Sequence, residues 1–60
     1  MHNSASLEML QKILSEILLS QAYREWSKAI DWCKRYLSYN PNDVDVWIEC
    51  RYCYVQTMRF

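Results

Sequence analysis

The sequence has 60 residues, 52% of them hydrophobic, and no net charge at pH 7, because seven basic side chains balance seven acidic ones. A chain of this length buries only about 60% of the surface that its unfolded form exposes, so it forms one domain at most. Zero net charge removes the usual basis for nucleic-acid binding, and no apolar run approaches the roughly 20 residues of a membrane span.

The cysteine content and the N-terminal sequence indicate the compartment. Three cysteines are an odd number, which would leave one unpaired in a disulfide scaffold of a secreted protein. The opening "MHNSAS" lacks the basic and then apolar order of a signal peptide. We therefore expect a cytoplasmic protein in a reducing environment, with a disordered N-terminus at 1–5 and a single helical module at 6–60.

The first predicted helix covers roughly residues 6–20. Ser4 and Ser6 are candidate caps, because a serine oxygen can accept from the unpaired N–H groups of a first helical turn. Apolar residues then recur at spacings of three and four, which is typical of one face of a helix. They are Leu7, Leu10, Ile13, Leu14, Ile17 and Leu18, of which we expect Leu10, Leu14 and Ile17 to lie in the core.

A second amphipathic run predicts a helix over roughly residues 22–39. Its predicted core residues are Trp26, Ala29, Ile30, Cys33 and Leu37. The segment between the two runs, "LSQA" at 19–22, contains neither Gly nor Pro and gives only a weak turn signal. One continuous helix over 6–39 therefore stands as the alternative to two helices.

The only proline separates the second helix from a third. Pro41 disfavours helical dihedrals at Asn40, and Asn42 or Asp43 can cap the helix that follows. The third helix is predicted at roughly 43–58, with the apolar side chains Val44, Trp47, Ile48, Cys50, Tyr54, Val55 and Met58. The predicted fold class is all-α, with two to three antiparallel helices.

Residues on both sides of the proline resemble the joint between two tetratricopeptide (TPR) repeats. The second helix of one repeat is matched by Trp26, Ala29, Ile30, Cys33, Tyr36, Leu37 and Pro41, and the first helix of the next by Trp47, Cys50, Arg51 and Tyr54. The sequence departs from the family pattern at Arg24, Cys33 and Arg51. The related half-a-TPR (HAT) repeats of RNA-processing scaffolds share the same Pro and Trp layout.

The resemblance implies a helix-turn-helix module that acts by binding protein. Ala29 would allow close helix approach, and Trp47 and Tyr54 would fill the groove between stacked hairpins. About three such units are needed for a continuous core, whereas this sequence holds one hairpin and one further helix, so we expect an exposed apolar face on the third helix. The predicted partner-binding residues are Trp47, Cys50, Tyr54, Val55 and Met58.

The expected function is a scaffold or adaptor that binds a helix of another protein or a second copy of itself, with neither nucleic acid nor a membrane as partner. One alternative is a small regulatory dimer, in which a continuous helix over 6–39 would form a coiled-coil-like seam. A second alternative is a HAT-like segment of an RNA-processing scaffold. In each case we expect the protein to act by binding and not as an enzyme.

Candidate chemical groups are few, and we predict no catalytic residue, metal or cofactor. His2 is the only histidine and lies in the polar N-terminus. Cys50 and Cys53 form a CxxC inside a predicted helix, without the second pair of ligands that tetrahedral zinc requires. The absence of glycine excludes a glycine-rich phosphate-binding loop.

Overall fold

The computed structural model describes residues 6–59. This range contains three α-helices and no strand: α1 (Leu7–Ala22), α2 (Trp26–Tyr39) and α3 (Val44–Thr57). Short connections make successive helices antiparallel, and α2 packs against both of its neighbours. The predicted all-α class is confirmed, whereas the predicted disordered segment at 1–5 lies outside the described residues.

The first helix begins where its sequence supplies a cap. The Ser6 hydroxyl oxygen accepts from the Met9 N–H at 3.1 Å, and Glu8 lies in the first turn, where a negative charge suits the helix dipole. The other candidate cap, Ser4, lies outside the described residues. The helix ends at Ala22, beyond its predicted end at residue 20.

A Schellman motif ends α1. Arg24 has a φ of 59°, which is the left-handed conformation. Its N–H donates to the Gln21 carbonyl at 2.9 Å, and the Glu25 N–H donates to the Ser20 carbonyl at 2.8 Å. These two bonds pair carbonyl groups that the end of a helix would otherwise leave free.

The position of this turn corrects two expectations. The predicted turn at 19–22 was wrong, because those residues are still helical and the chain reverses at 23–25. The predicted start of the second helix at residue 22 was wrong for the same reason, since α2 begins at Trp26. The break also excludes a continuous helix over 6–39.

The connection between α2 and α3 follows its sequence signals. Asn40 leaves the helical region with φ −139° and ψ 76°, as expected for a residue before proline. Asp43 caps α3, because its Oδ1 accepts from the Val46 N–H at 3.4 Å. Its Oδ2 accepts from the Tyr36 hydroxyl at 2.7 Å. One carboxylate therefore caps α3 and fixes that helix to the end of α2.

The core consists of two clusters of buried side chains. The larger cluster joins all three helices through Ile13, Ile17, Cys33, Tyr36, Leu37, Val46 and Cys50. The smaller cluster lies between α2 and α3 and contains Ala29, Ile30 and Cys53, with Trp26 packed against it. None of the three helices of the described range is long and apolar enough to cross a membrane.

The predicted core residues divide into three groups. Ile17, Ala29, Ile30, Cys33 and Leu37 are buried. Leu10, Leu14 and Trp26 are only partly buried and pack against the edges of the clusters. Trp47 and Tyr54, which the TPR resemblance placed in a groove between hairpins, are 52% and 42% exposed, because no fourth helix covers them in the described chain.

Candidate partner-binding surface on the third helix

The third helix is apolar on most of its circumference. It buries Val46, Cys50 and Cys53 against the core. The large apolar side chains that it and its C-cap leave 42–66% exposed are Val44, Trp47, Ile48, Tyr52, Tyr54, Val55 and Met58. A helix that is hydrophobic on all sides is normally buried on all sides. The exposed apolar residues of α3 therefore form a candidate interaction surface.

One stripe of this surface borders α2, and we name it the flank face. It contains Trp47, Arg51, Tyr54 and Met58, at successive spacings of four, three and four residues. The Lys34 ammonium of α2 lies 5.8 Å from the centroid of the Tyr54 ring. The Trp47 indole N–H donates to the Pro41 carbonyl at 2.7 Å, which satisfies its polar atom and leaves its ring half exposed.

The flank face carries positive charge. The contact with the Tyr54 hydroxyl raises the pKa of Lys34 above its ordinary value, so the ammonium group is charged at neutral pH. Arg51, in the middle of the stripe, is exposed. Within residues 6–59 the one ion pair joins Lys28 to Glu25 at 3.8 Å. Arg51 within the stripe and Lys34 at its edge therefore form no ion pair in that range, although the charge of Asp31 also helps to raise the pKa of Lys34.

A second stripe of α3 shares no residue with the flank face, and we name it the heptad seam. It contains Asp45, Ile48, Tyr52 and Val55 of α3 and continues to Arg59, one residue beyond the C-cap; the spacings alternate between three and four residues, and all five residues are exposed. The Tyr52 ring makes an edge-on contact with the Trp26 ring, with centroids 5.7 Å apart and an interplanar angle of 78°. A shallow groove of about 310 Å³ lies along the seam, lined by Ile48, Arg51, Tyr52, Val55 and Gln56.

The predicted partner-binding residues fall into two environments. Trp47, Tyr54, Val55 and Met58 lie on the exposed surface of α3. Cys50 is 5% exposed and belongs to the main core cluster, so its assignment to a partner surface was wrong. Its neighbour in that cluster is Cys33 of the same chain, and α3 turns the side chain inward.

Of the five seam residues, only Val55 was predicted to bind a partner. Ile48 was expected only as an apolar residue of the third helix, and Tyr52 was assigned no role, yet they are 57% and 51% exposed. The signal that could have identified them is their spacing with Val55, which places the three side chains on one stripe of a helix. Partner binding was instead predicted mainly for the flank face, because of its large aromatic side chains.

The three cysteines are buried and unpaired. Desolvation by burial raises the pKa of the Cys33 thiol to about 12, with a further contribution from the neighbouring Cys50, and burial also raises the pKa of Cys50. The Gln21 amide donates to the Cys53 sulfur at 3.3 Å and to a Glu49 carboxylate oxygen at 2.8 Å. The Cys33 and Cys50 thiols are therefore protonated at neutral pH, and their environment disfavours the thiolate that metals bind.

Metal-binding side chains do not converge in the described part of the chain. Among residues 6–59 no group of three His, Cys, Asp or Glu side chains is arranged to hold a metal ion. His2, the histidine considered in the sequence, lies outside that range. The exposed apolar surface of α3 is therefore the candidate functional feature of the described residues.

Comparisons with known proteins give no family for this chain. No family model matches the sequence, and neither a curated protein nor a solved structure matches the chain.

Proposed function

We propose that this chain is a non-enzymatic protein-interaction module that binds a helix of another protein on the flank face of α3. The observation that carries the proposal is the exposure of Trp47, Tyr54 and Met58, at 52%, 42% and 66%, on a helix whose opposite side is already buried. These large apolar side chains lie along one stripe of the helix, with Arg51 among them, and exposed apolar patches usually mark an interface. The module would act as a scaffold or adaptor.

The physical basis of binding is a helix packed along the flank face, beside α2. Aromatic side chains make strong anchors in interfaces, because they bury a large area at low cost in conformational entropy. Trp47 is already held by its hydrogen bond to the Pro41 carbonyl, so binding does not have to order it. A partner helix would cover Trp47 and Tyr54 with apolar residues spaced by three and four.

The charge of the flank face specifies the partner further. Arg51 and Lys34 lie beside the apolar stripe without an ion pair among residues 6–59. An approaching helix with Asp or Glu beside its apolar face would be attracted to these cations, which increases the rate of association and disfavours basic partners. We therefore propose an acidic amphipathic helix as the partner.

The burial of Ala29 is the observation in favour of a TPR-like scaffold as part of this proposal. Ala29 is fully buried where α2 packs against α3, as a close-contact alanine in such a repeat would be. A HAT-like segment of an RNA-processing scaffold is the second candidate, supported by the direct contact between Trp47 and Pro41. The regulatory dimer built on a continuous first helix is not proposed, because the chain reverses at 23–25.

Site-specific photo-crosslinking in the cells that produce the protein tests the proposal. A photoreactive phenylalanine analogue in place of Tyr54 should give a discrete crosslinked protein, and Trp47→Glu in the same chain should abolish that product. Tyr23 is the matched control position, because it is an exposed tyrosine in the turn between α1 and α2. Equal crosslinking from both positions, or a product insensitive to Trp47→Glu, would contradict binding at the flank face.

A further inference from the structure

We propose that the heptad seam of α3 pairs with the heptad seam of a second copy of this chain, in antiparallel orientation. This inference goes beyond the proposed function, because it concerns a different stripe of α3 and a defined partner. If the seam does not pair, the proposed binding at the flank face is unaffected. If the flank face binds no partner, the proposed pairing of the seam is unaffected.

The spacing of the seam is that of a coiled-coil interface. Asp45, Ile48, Tyr52, Val55 and Arg59 follow one another at intervals of three, four, three and four residues, which are the a and d positions of two heptads. The three central side chains are apolar and 57%, 51% and 44% exposed. The packing of α3 on α2 therefore leaves this seam open.

The charges at the two ends select both the partner and its direction. Asp45 lies in the first turn of α3, and Arg59 follows the C-cap. A second copy in parallel orientation would place Asp45 against Asp45 and Arg59 against Arg59, which is repulsive. An antiparallel copy places Asp45 against Arg59 of the second copy at both ends, so the seam is complementary to itself.

The same register pairs the apolar residues. Tyr52 is seven residues from each charged end, so the twofold axis passes near it and the two Tyr52 rings meet at the centre. Ile48 lies four residues before Tyr52 and Val55 three residues after it, so Ile48 of each copy lies within one residue, about 1.5 Å along the helix axis, of Val55 of the other. The shallow groove between Ile48 and Val55 leaves room for an apolar side chain of the facing helix.

Two further side chains are compatible with this register. Tyr52 is fixed by its contact with the Trp26 ring, so little side-chain freedom is lost on pairing. Arg51 borders the groove but belongs to the flank face, and its long side chain can extend into solvent away from the Arg51 of the second copy. The two like charges therefore remain hydrated at the edge of the interface.

The pairing is a weak, concentration-dependent dimer. Two heptads bury less than the roughly 800 Å² per partner of a standard stable interface. The dimer leaves both flank faces exposed, because Trp47 and Tyr54 are on the other stripe. Two partner-binding sites in one assembly would increase the avidity for a partner that presents two helices.

Sedimentation equilibrium from about 10 µM to 1 mM measures the dissociation constant of this dimer, in the weak range expected for a small interface. The wild-type mass should approach twice that of the monomer, and Ile48→Glu should weaken the dimer at least roughly tenfold. Leu18→Glu is the matched control, because Leu18 is 60% exposed on α1, and it should dimerise as the wild type does. A wild type that stays monomeric, or Ile48→Glu that dimerises normally, would overturn the proposal.

A charge exchange tests the antiparallel register without removing apolar surface. Asp45→Arg and Arg59→Asp should each weaken the dimer by several-fold to roughly tenfold, since each replaces attraction with repulsion at both ends. The double variant D45R/R59D should recover most of the wild-type affinity at low salt. A double variant no better than the single ones would refute the register, whatever the effect of Ile48→Glu.

A flank-face variant separates this inference from the proposed function. Tyr54→Glu should abolish capture of a partner protein and leave the monomer–dimer equilibrium within about twofold of wild type, as expected for a substitution outside the interface. Ile48→Glu should have the opposite pattern. If Tyr54→Glu instead abolishes the dimer, the second copy occupies the flank face and the proposed seam is wrong.

Discussion

Cys33 and Cys50 are buried thiols whose protonation state is coupled to the free energy of unfolding. Both belong to the main core cluster, and Cys33 has no exposed surface. Burial disfavours the charged thiolate, and the neighbouring sulfur adds to this effect, so the pKa of Cys33 is raised to about 12. A thiol in the unfolded chain has no such protection and ionises near its ordinary value.

We predict that the free energy of unfolding decreases as the pH rises above about 9. Between the ordinary thiol pKa and the raised folded value, the unfolded state has lost a proton that the folded state retains, so stability falls by about 1.4 kcal/mol per pH unit for each such thiol. Urea unfolding under reducing conditions from neutral pH to about pH 10 measures the slope. Cys33→Ala should have a shallower slope, with Cys50 still contributing, and equal slopes would contradict this assignment.

Tyr36 has a defined role in the connection between α2 and α3. Its ring is buried, and its hydroxyl donates to the Asp43 carboxylate at 2.7 Å. This bond raises the pKa of Tyr36, so the hydroxyl remains a donor at neutral pH. The Asn40 side-chain amide donates to the same hydroxyl oxygen at 3.4 Å.

Tyr36→Phe should lower the free energy of unfolding by about 1.5–3 kcal/mol, because a hydrogen bond to a charged acceptor is lost in a part-buried site. Chemical denaturation of the two proteins measures the difference. Tyr39→Phe is the matched control on the same helix, where the side chain is 45% exposed, and it should change stability by less than about 0.5 kcal/mol. Equal effects would show that the Asp43 contact does not stabilise the fold.

Among the elements, the turn between α1 and α2 is unusual in its residue type. Arg24 occupies the left-handed position of the Schellman motif, where glycine is the common residue. A side chain with a Cβ is strained there by about 1–2 kcal/mol. The chain contains no glycine, so this strain is retained in the native fold.

Arg24→Gly should stabilise the protein by about 0.5–1 kcal/mol, because relief of the left-handed strain exceeds the added entropy of the unfolded chain. Arg24→Val is the opposing control, and it should destabilise by more than about 1 kcal/mol, since a β-branched side chain fits this conformation poorly. Thermal unfolding of the three proteins measures both changes. Destabilisation by glycine would contradict the left-handed turn.

The element boundaries that could be predicted from the sequence are those set by side chains. Ser6, Pro41 and Asp43 act through a hydroxyl, a ring and a carboxylate, and the structure confirms the boundaries that they indicate. The turn at 23–25 is made by backbone hydrogen bonds around a left-handed arginine. No residue type there indicates it, so the sequence left its position and even its existence open.

The candidate site was predictable as an element but not as a set of residues. The sequence indicated that the third helix would expose apolar surface, and it does. α3 is apolar on several sides, so the spacing alone could not decide which side faces the core. That choice is made by tertiary packing, which buries Cys50 with Val46 and leaves Trp47 and Tyr54 exposed.

At the scale of the whole molecule, α2 holds the two outer helices together. The main core cluster takes residues from all three helices, and Gln21 at the end of α1 contacts Glu49 and Cys53 of α3. Buried contacts and side-chain hydrogen bonds therefore join all three helices within the described range. A single core of this size supplies no more than about 3–5 kcal/mol of net stability.

The two adjacent residues Ile17 and Leu18 test this dependence on a small core. Ile17 is 1% exposed in the main cluster, whereas Leu18 is 60% exposed. Ile17→Ala should cost about 2–5 kcal/mol, which is comparable to the whole stability of the fold, so the variant should be largely unfolded at 37 °C by circular dichroism. Leu18→Ala should stay within about 0.5 kcal/mol of wild type in urea unfolding. Similar losses from both substitutions would mean that α1 does not dock on α2 through the face described, and that the three helices do not share one core.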